Sequence, residues 1–396
     1  MTPKGLGIFK VVPTPRGYIR IATDSIGGIQ LTILNSQFMT DKPIQPSLLQ
    51  KILSFFESLW KHLLALYHPQ NLKRQGLIWS IELLVVTVLI LMFSFGMWWT
   101  RAPSVFDVQA VAQQRAERHN EKIVAGYITT STLIEVINIL LNKSGGYLSN
   151  DIMSPSLFMD DMPNWEWGVL QQVREFSKAL RNDMSRSRNQ SEDADLAKAE
   201  PKFNTDNKSW FWPASENAYQ EGIDLLEKYL HRLAAPDTAQ FLVSVNNLRD
   251  WLGDVSKRLG SLSHRLIASI GQKRITPIAR NDTNTEQLTP ASIENKTSWT
   301  KIDDVFYEAR GTSWALIHLL RAIEIDFKDV LEKKHATIIL RQVIRELETT
   351  QKAVWSPMIL NGSEFGLFAN HSLVLSSYIS RANMGIIELH NLLENG

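Results

Sequence analysis

From Leu77 to Trp99 the chain is apolar almost without interruption, Glu82 being the one charged residue. At about 1.5 Å per residue, a helix of this length reaches across the roughly 30 Å hydrocarbon layer of a bilayer. Trp79 stands near one end and Trp98 and Trp99 at the other, where amphipathic rings favour the headgroup layer. Glu82 lies about one turn inside, close enough to reach the interface or to be held protonated. A proton- or partner-binding role is the alternative reading of that carboxyl. The competing account of the whole segment, a buried core helix, is countered by its length and by the lack of a polar stripe from Leu83 to Phe93. The segment is also too far along the chain for an ordinary cleaved signal peptide. An uncleaved single-pass anchor follows, with the lipid bilayer as its partner. Lys73 and Arg74 abut its start, with Lys61 farther out, against Arg101 at its end and Arg115 and Arg118 beyond. The positive-inside rule then predicts a cytoplasmic N-terminus and an exported C-terminal domain.

The rest of the chain divides around that span. Residues 1–38, with Gly-Leu-Gly, Pro-Thr-Pro and Gly-Gly and no sustained period, predict a poorly ordered tail. Met39 opens a more ordinary sequence and is a candidate true start. Residues 39–76 include Leu49, Ile52, Phe56, Leu59, Leu63 and Leu66 at helical spacing, a pattern that fits a helix lying on the membrane or against a partner helix, or an ordinary short amphipathic helix. After the span at 77–99, residues 100–274 form a first helical half, 275–300 a polar linker rich in Thr, Asn and Pro, and 301–396 a second half.

The fold class predicted is all-α: one transmembrane helix followed by a large antiparallel helical bundle. Apolar stripes at steps of three and four carry this expectation. They are Ile134, Ile137 and Leu141; Trp165, Val169, Val173, Phe176 and Leu180; Tyr219, Ile223, Leu226, Leu230 and Leu233; and Phe241, Val245, Leu248, Leu252, Val255, Leu259, Leu262 and Leu266. Two more run Leu316, Leu320, Ile323, Phe327, Val330 and Leu375, Ile379, Ala382, Ile386, Leu389, Leu393. Thr130-Ser-Thr-Leu-Ile134 echoes Thr312-Ser-Trp-Ala-Leu-Ile317, and Leu170–Phe176 echoes Leu340–Leu347, so the two halves are candidates for a duplication.

Composition removes several function classes. With a net charge of +1 there is no basic field for nucleic acid. The absence of cysteine excludes disulfide scaffolds, zinc fingers and thiol nucleophiles. The nine histidines form no metal-binding pair, and the phosphate-loop, dinucleotide and serine-elbow motifs are missing. No catalytic residue, metal ligand or cofactor is expected, although carboxylates work without a motif. The densest unusual stretch runs from Gly145 to Arg186. There Pro163 and Asn164 predict a helix start, with Asp160, Asp161 and Glu166 favourable at its positive end. Trp165 joins the apolar seam, whereas Trp167 shares a polar face with Gln171 and Arg174. Asp160, Asp161, Glu166, Trp167 and Arg174, with Trp210 and Trp212 before Pro213, are therefore the candidate binding surface, for a sugar ring or a protein. Burial of these rings under another helix is the competing account.

Gly145-Gly-Tyr-Leu-Ser-Asn-Asp151, Met162-Pro-Asn-Trp-Glu166, Arg181-Asn-Asp-Met-Ser-Arg-Ser187, Ala199-Glu-Pro-Lys-Phe203 and Leu259-Gly-Ser-Leu-Ser263 together resemble the proteobacterial domain-of-unknown-function 2333 family. The resemblance covers the membrane segment and nearly everything after it, and residues 1–38 have no counterpart. It brings no activity and no catalytic residues, and it implies a bacterial envelope protein. The expected function is an inner-membrane protein whose periplasmic helical domain serves protein interaction or scaffolding, with other envelope proteins or its own copies as partners. A carboxylate-dependent enzyme or binding module acting on cell-wall glycan is the alternative.

Overall fold

The computed structural model describes residues 76–152, 161–186, 192–235, 238–271, 297–356, 358–362 and 367–395, the backbone of five short strands, and residues 58, 61, 65, 67 and 68. Most of the 39–76 region and the helical stripe placed there lie outside the described residues. Helix α1 is Leu77–Trp99, 23 residues long, or about 34 Å. None of its residues is buried. Leu89, Ile90, Leu91 and Phe93 are all exposed, so α1 is no core helix of this fold. It is long and apolar enough to cross a membrane.

Helices α2 (Val108–His119), α3 (Tyr127–Asn142), α4 (Asp161–Ala179), α5 (Ala194–Phe203), α6 (Ser215–Ala234) and α7 (Val245–Ile270) follow. Then come α8 (Ile302–Asp326), α9 (Lys328–Lys333), α10 (Thr337–Thr349) and α11 (His371–Asn395). Local signals set several ends. Asp107 caps α2 by accepting from the backbone of Gln109 at 2.9 Å and Ala110 at 3.2 Å, and Asp193 does the same for α5. Gly271 ends α7 in the left-handed conformation. The seams read from the sequence turn inward: Trp165, Val169, Val173, Phe176 and Leu180 are completely buried, as are Leu252, Leu259, Leu262 and Leu266.

Helix α8 is the axis of the bundle. Nearly every residue from Val305 to Ile323 is buried, polar ones included, because α4, α3, α10 and α7 pack around it. Helix α4 crosses it with backbones in direct contact. A Cβ on Gly311 would stand 2.0 Å from the Trp165 carbonyl oxygen, and one on Gly168 would stand 2.1 Å from that of Glu308. The two expected halves therefore share one core, since α8 of the second is enclosed by α3 and α4 of the first and α7 packs on α11. Backbone strands occupy parts of the expected tail and linker. Lys10–Thr14 pairs with Gly17–Thr23, and Arg274–Arg280 with Gln287–Ile293, both antiparallel. The last pair sets Pro277 opposite Pro290, tolerable where each strand keeps a free edge.

The segment between α1 and α2 is clamped to α8. His318, in α8, has Nδ1 at 2.7 Å from the Trp314 carbonyl, and its Nε2 accepts the Phe106 N–H at 3.0 Å. Its ring stacks on Phe106 at 3.9 Å. Trp314 Nε1 reaches the Ser104 carbonyl and Arg321 that of Phe106, each at 3.4 Å. Burial depresses the imidazole to about 3, against the weaker help of the Trp314 carbonyl. A neutral ring with its proton on Nδ1 satisfies both contacts.

Candidate functional site

The Gly145–Asp151 loop is organised around Glu166. Its carboxylate accepts from the backbone N–H groups of Leu148 and Ser149, both at 2.8 Å, from Ser149 Oγ at 2.5 Å, and from the Lys143 ammonium. Lys143 also donates to the Gly146 carbonyl. Both side chains of the pair are almost wholly buried. Burial raises the Glu166 carboxyl, and the Lys143 ammonium, Ser149 and Leu148 oppose the rise. A glycine is required at 145, where φ is 89° and a Cβ would sit 2.8 Å from the Trp99 ring. The far side of the loop holds the next segment: Tyr147 Oη donates to the Asn207 carbonyl at 3.2 Å, and Asn150 Nδ2 to that of Ser209 at 2.9 Å.

This geometry corrects the expected binding surface. Glu166 faces inward and cannot meet a ligand, because one residue past Trp165 on α4 it points at the 143–149 loop rather than at solvent. Arg174 is likewise engaged, donating to the Phe203 carbonyl at 2.7 Å and the Thr205 carbonyl at 2.8 Å, where it satisfies the C-terminal end of α5. Its guanidinium lies 5.1 Å from the centre of the half-buried Trp167 ring. Gln171 accepts from Arg258, which also pairs with Glu175. The polar face of α4 is thus engaged by one ion pair, Glu175–Arg258, and by hydrogen bonds from Arg174 and to Gln171. Asp161 opens α4 and stands beside Tyr307, whose hydroxyl is pushed up to about 12 by burial first and by Asp161 second. Asp160 lies outside the described residues. Trp210 and Trp212 are exposed, with Phe211 between them. Arg174 holds the Phe203 and Thr205 carbonyls, a few residues before Trp210 in the chain.

Two features escaped the sequence reading. A cavity of about 480 Å³ opens beside the end of α1, lined by Arg101, Ser104, Glu135, Asn138, Asn142 and Ser144 among others. The segment between α10 and α11 exposes Trp355, Met358, Leu367 and Phe368. Its base is fixed by Asn361 Nδ2 on the Ser269 carbonyl at 3.2 Å and by Leu360 N–H on His371 Nδ1 at 2.9 Å. The lone Trp355 before Ser-Pro and the adjacent Leu367-Phe368 were the available signal. Among the described residues no cluster of His, Asp and Glu is placed to hold a metal.

The remaining motif residues are joints too. Asn164 donates to Asp304 at 2.6 Å, Arg181 pairs with Glu192 and Glu200, Phe203 is buried beside Gly222, and Ser263 bonds Ser380 at 2.6 Å. Fold and joints define a predominantly helical domain carried behind one helix long and apolar enough to cross a membrane. The chain belongs to the domain-of-unknown-function 2333 family, uncharacterised proteins conserved in bacteria, which it matches over residues 72–396. No curated protein and no solved structure matches it.

Proposed function

We propose that this chain is an inner-membrane protein, anchored by α1 with its N-terminus in the cytoplasm, whose periplasmic helical domain holds protein partners or further copies of itself. The observation that carries the reading is the exposure of Trp355, Met358, Leu367 and Phe368 between α10 and α11. Trp355 is 96% exposed and Leu367 103%, on a segment whose base is hydrogen-bonded into the bundle. Large apolar side chains held out to solvent mark interaction surfaces more often than catalytic ones. The alternative, carboxylate chemistry on cell-wall glycan, loses support because Glu166 is consumed by Lys143 and the 148–149 backbone. The charge bias at Lys73, Arg74 and Arg101 supports the orientation. Two measurements on the full chain in cells test the proposal. A reporter active only outside the cytoplasm, fused after Gly396, is expected to be active. A photo-crosslinking residue at position 355 is expected to capture a discrete protein adduct. A cytoplasm-only reporter signal refutes the orientation, and the absence of any protein adduct at 355 refutes the interaction surface.

A further inference from the structure

We infer that the Trp210-Phe211-Trp212 loop is a second membrane contact, seated in the interfacial layer of the same bilayer that α1 crosses. The inference rests on α1 lying in a membrane, the reading proposed above. Residue exposures of 59, 72 and 91% put three successive aromatic residues in solvent, and the loop that carries them is fixed. Ser209 Oγ donates to the Pro213 carbonyl at 2.8 Å, with the Phe211 carbonyl oxygen 3.3 Å away. Ser215 N–H donates to the Ser209 carbonyl at 2.9 Å, and Ser215 Oγ to that of Asp206 at 2.6 Å. The rings are therefore presented at little further cost in backbone entropy.

Position names the occupant. Trp99, the last residue of α1, packs against Gly145. Five residues on, Asn150 holds the Ser209 carbonyl, and residues 143–149 are drawn together around the single carboxylate of Glu166. A five-residue span is at most roughly 18 Å, so the base of the aromatic loop lies close to the end of the apolar helix. From Ser209 to Ala214 the chain carries no charged residue, and Lys208 precedes it. Tryptophan next to lysine suits the headgroup layer, where the ring is half in hydrocarbon and the ammonium meets lipid phosphate. With the helix and the loop both engaged, the domain has two attachment points and a fixed orientation on the bilayer.

The chain has no cysteine, so single labels are clean. Full-length Phe211→Cys and Leu89→Cys proteins, each carrying an environment-sensitive fluorophore, are reconstituted into vesicles of phosphatidylethanolamine and phosphatidylglycerol. A fraction of the lipid carries a nitroxide high on its acyl chain. Position 89, in the middle of α1, reports on the membrane reading, and position 211 on the loop. The expected result is a blue-shifted emission at both sites and loss of fluorescence to the lipid-borne nitroxide at both. Shielding of position 211 by a second copy would shift the emission without quenching by lipid, and that result overturns the inference. A quenched position 89 with an aqueous, unquenched position 211 also overturns it while leaving the anchor intact. An unquenched position 89 removes the anchor reading and the inference with it.

Discussion

A methyl group added at Gly311 has nowhere to go. Its carbon would stand 2.0 Å from the Trp165 carbonyl oxygen and 2.8 Å from the carbonyl carbon, against an ordinary carbon–oxygen contact of about 3.3 Å. The obstacles are backbone atoms of α4, so no rotamer relieves the clash, and the helices must part by about 1.3 Å at their crossing. Such overpacking costs about 1–3 kcal/mol, and more where two backbones meet. Parting α4 from α8 also loosens Trp165 from Trp314, whose rings lie 5.2 Å apart. Against this, alanine in place of a helical glycine returns up to about 1 kcal/mol of helix propensity. The net expectation for Gly311→Ala is a loss of about 1–2 kcal/mol. At about 2–4 °C per kcal/mol for a domain of this size, Tm falls by roughly 2–8 °C.

Gly253 supplies the opposite sign. It lies inside α7 with nothing nearer to its would-be Cβ than the His390 ring at 3.8 Å, so Gly253→Ala gains about 0.5–1 kcal/mol. Urea and thermal unfolding of the full chain in one detergent, followed by circular dichroism, compares the two. Gly168→Ala presses on Glu308 and Thr312 across the same crossing, and once the helices have parted for one methyl the second costs less. The double variant is therefore expected to lose less than the sum of the single losses. If Gly311→Ala stabilises the protein as Gly253→Ala does, the close crossing of α4 and α8 is refuted.

Three further substitutions test the buried charges and the clamp. Because His318 is held neutral, with its pKa depressed to about 3, the unfolded chain binds a proton that the native one does not as pH falls below about 6.5; stability is lost from there down to pH 3, with a limiting slope of about 1.4 kcal/mol per pH unit from this group. His318→Gln should remove that slope in a pH series of urea midpoints, and an unchanged slope means that His318 titrates in the native state. Lys143→Met strips Glu166 of its counter-charge and should cost about 3–5 kcal/mol. A carboxyl already raised by burial is then most costly when ionised, so the loss should grow with rising pH, and adding Glu166→Gln should recover part of it. A loss independent of pH would show that Glu166 is not the buried charge.

How much of this was legible follows from the range of each interaction. The seams of α4, α6, α7 and α11 were readable because burial on one face imposes a period on neighbouring residues, and Trp165 against Trp167 separated core from flank for the same reason. Nothing local distinguishes Gly311 from Gly253. Both are glycines in amphipathic helices, and only the partner helix, more than a hundred residues away in sequence for Gly311, makes one obligatory and the other replaceable. Glu166 was misread on the same ground. Beside Asp161 in the first turns of α4 it resembles a carboxylate favourable to a helix N-terminus, while its partners come from a loop 17 to 23 residues earlier. The family motifs gather at such long-range joints: Gly145 under Trp99, Asn150 on Ser209, Asn164 on Asp304, Ser263 on Ser380. Several of these joints hold the end of α1, the 143–150 loop and the base of the 210–212 loop to one another.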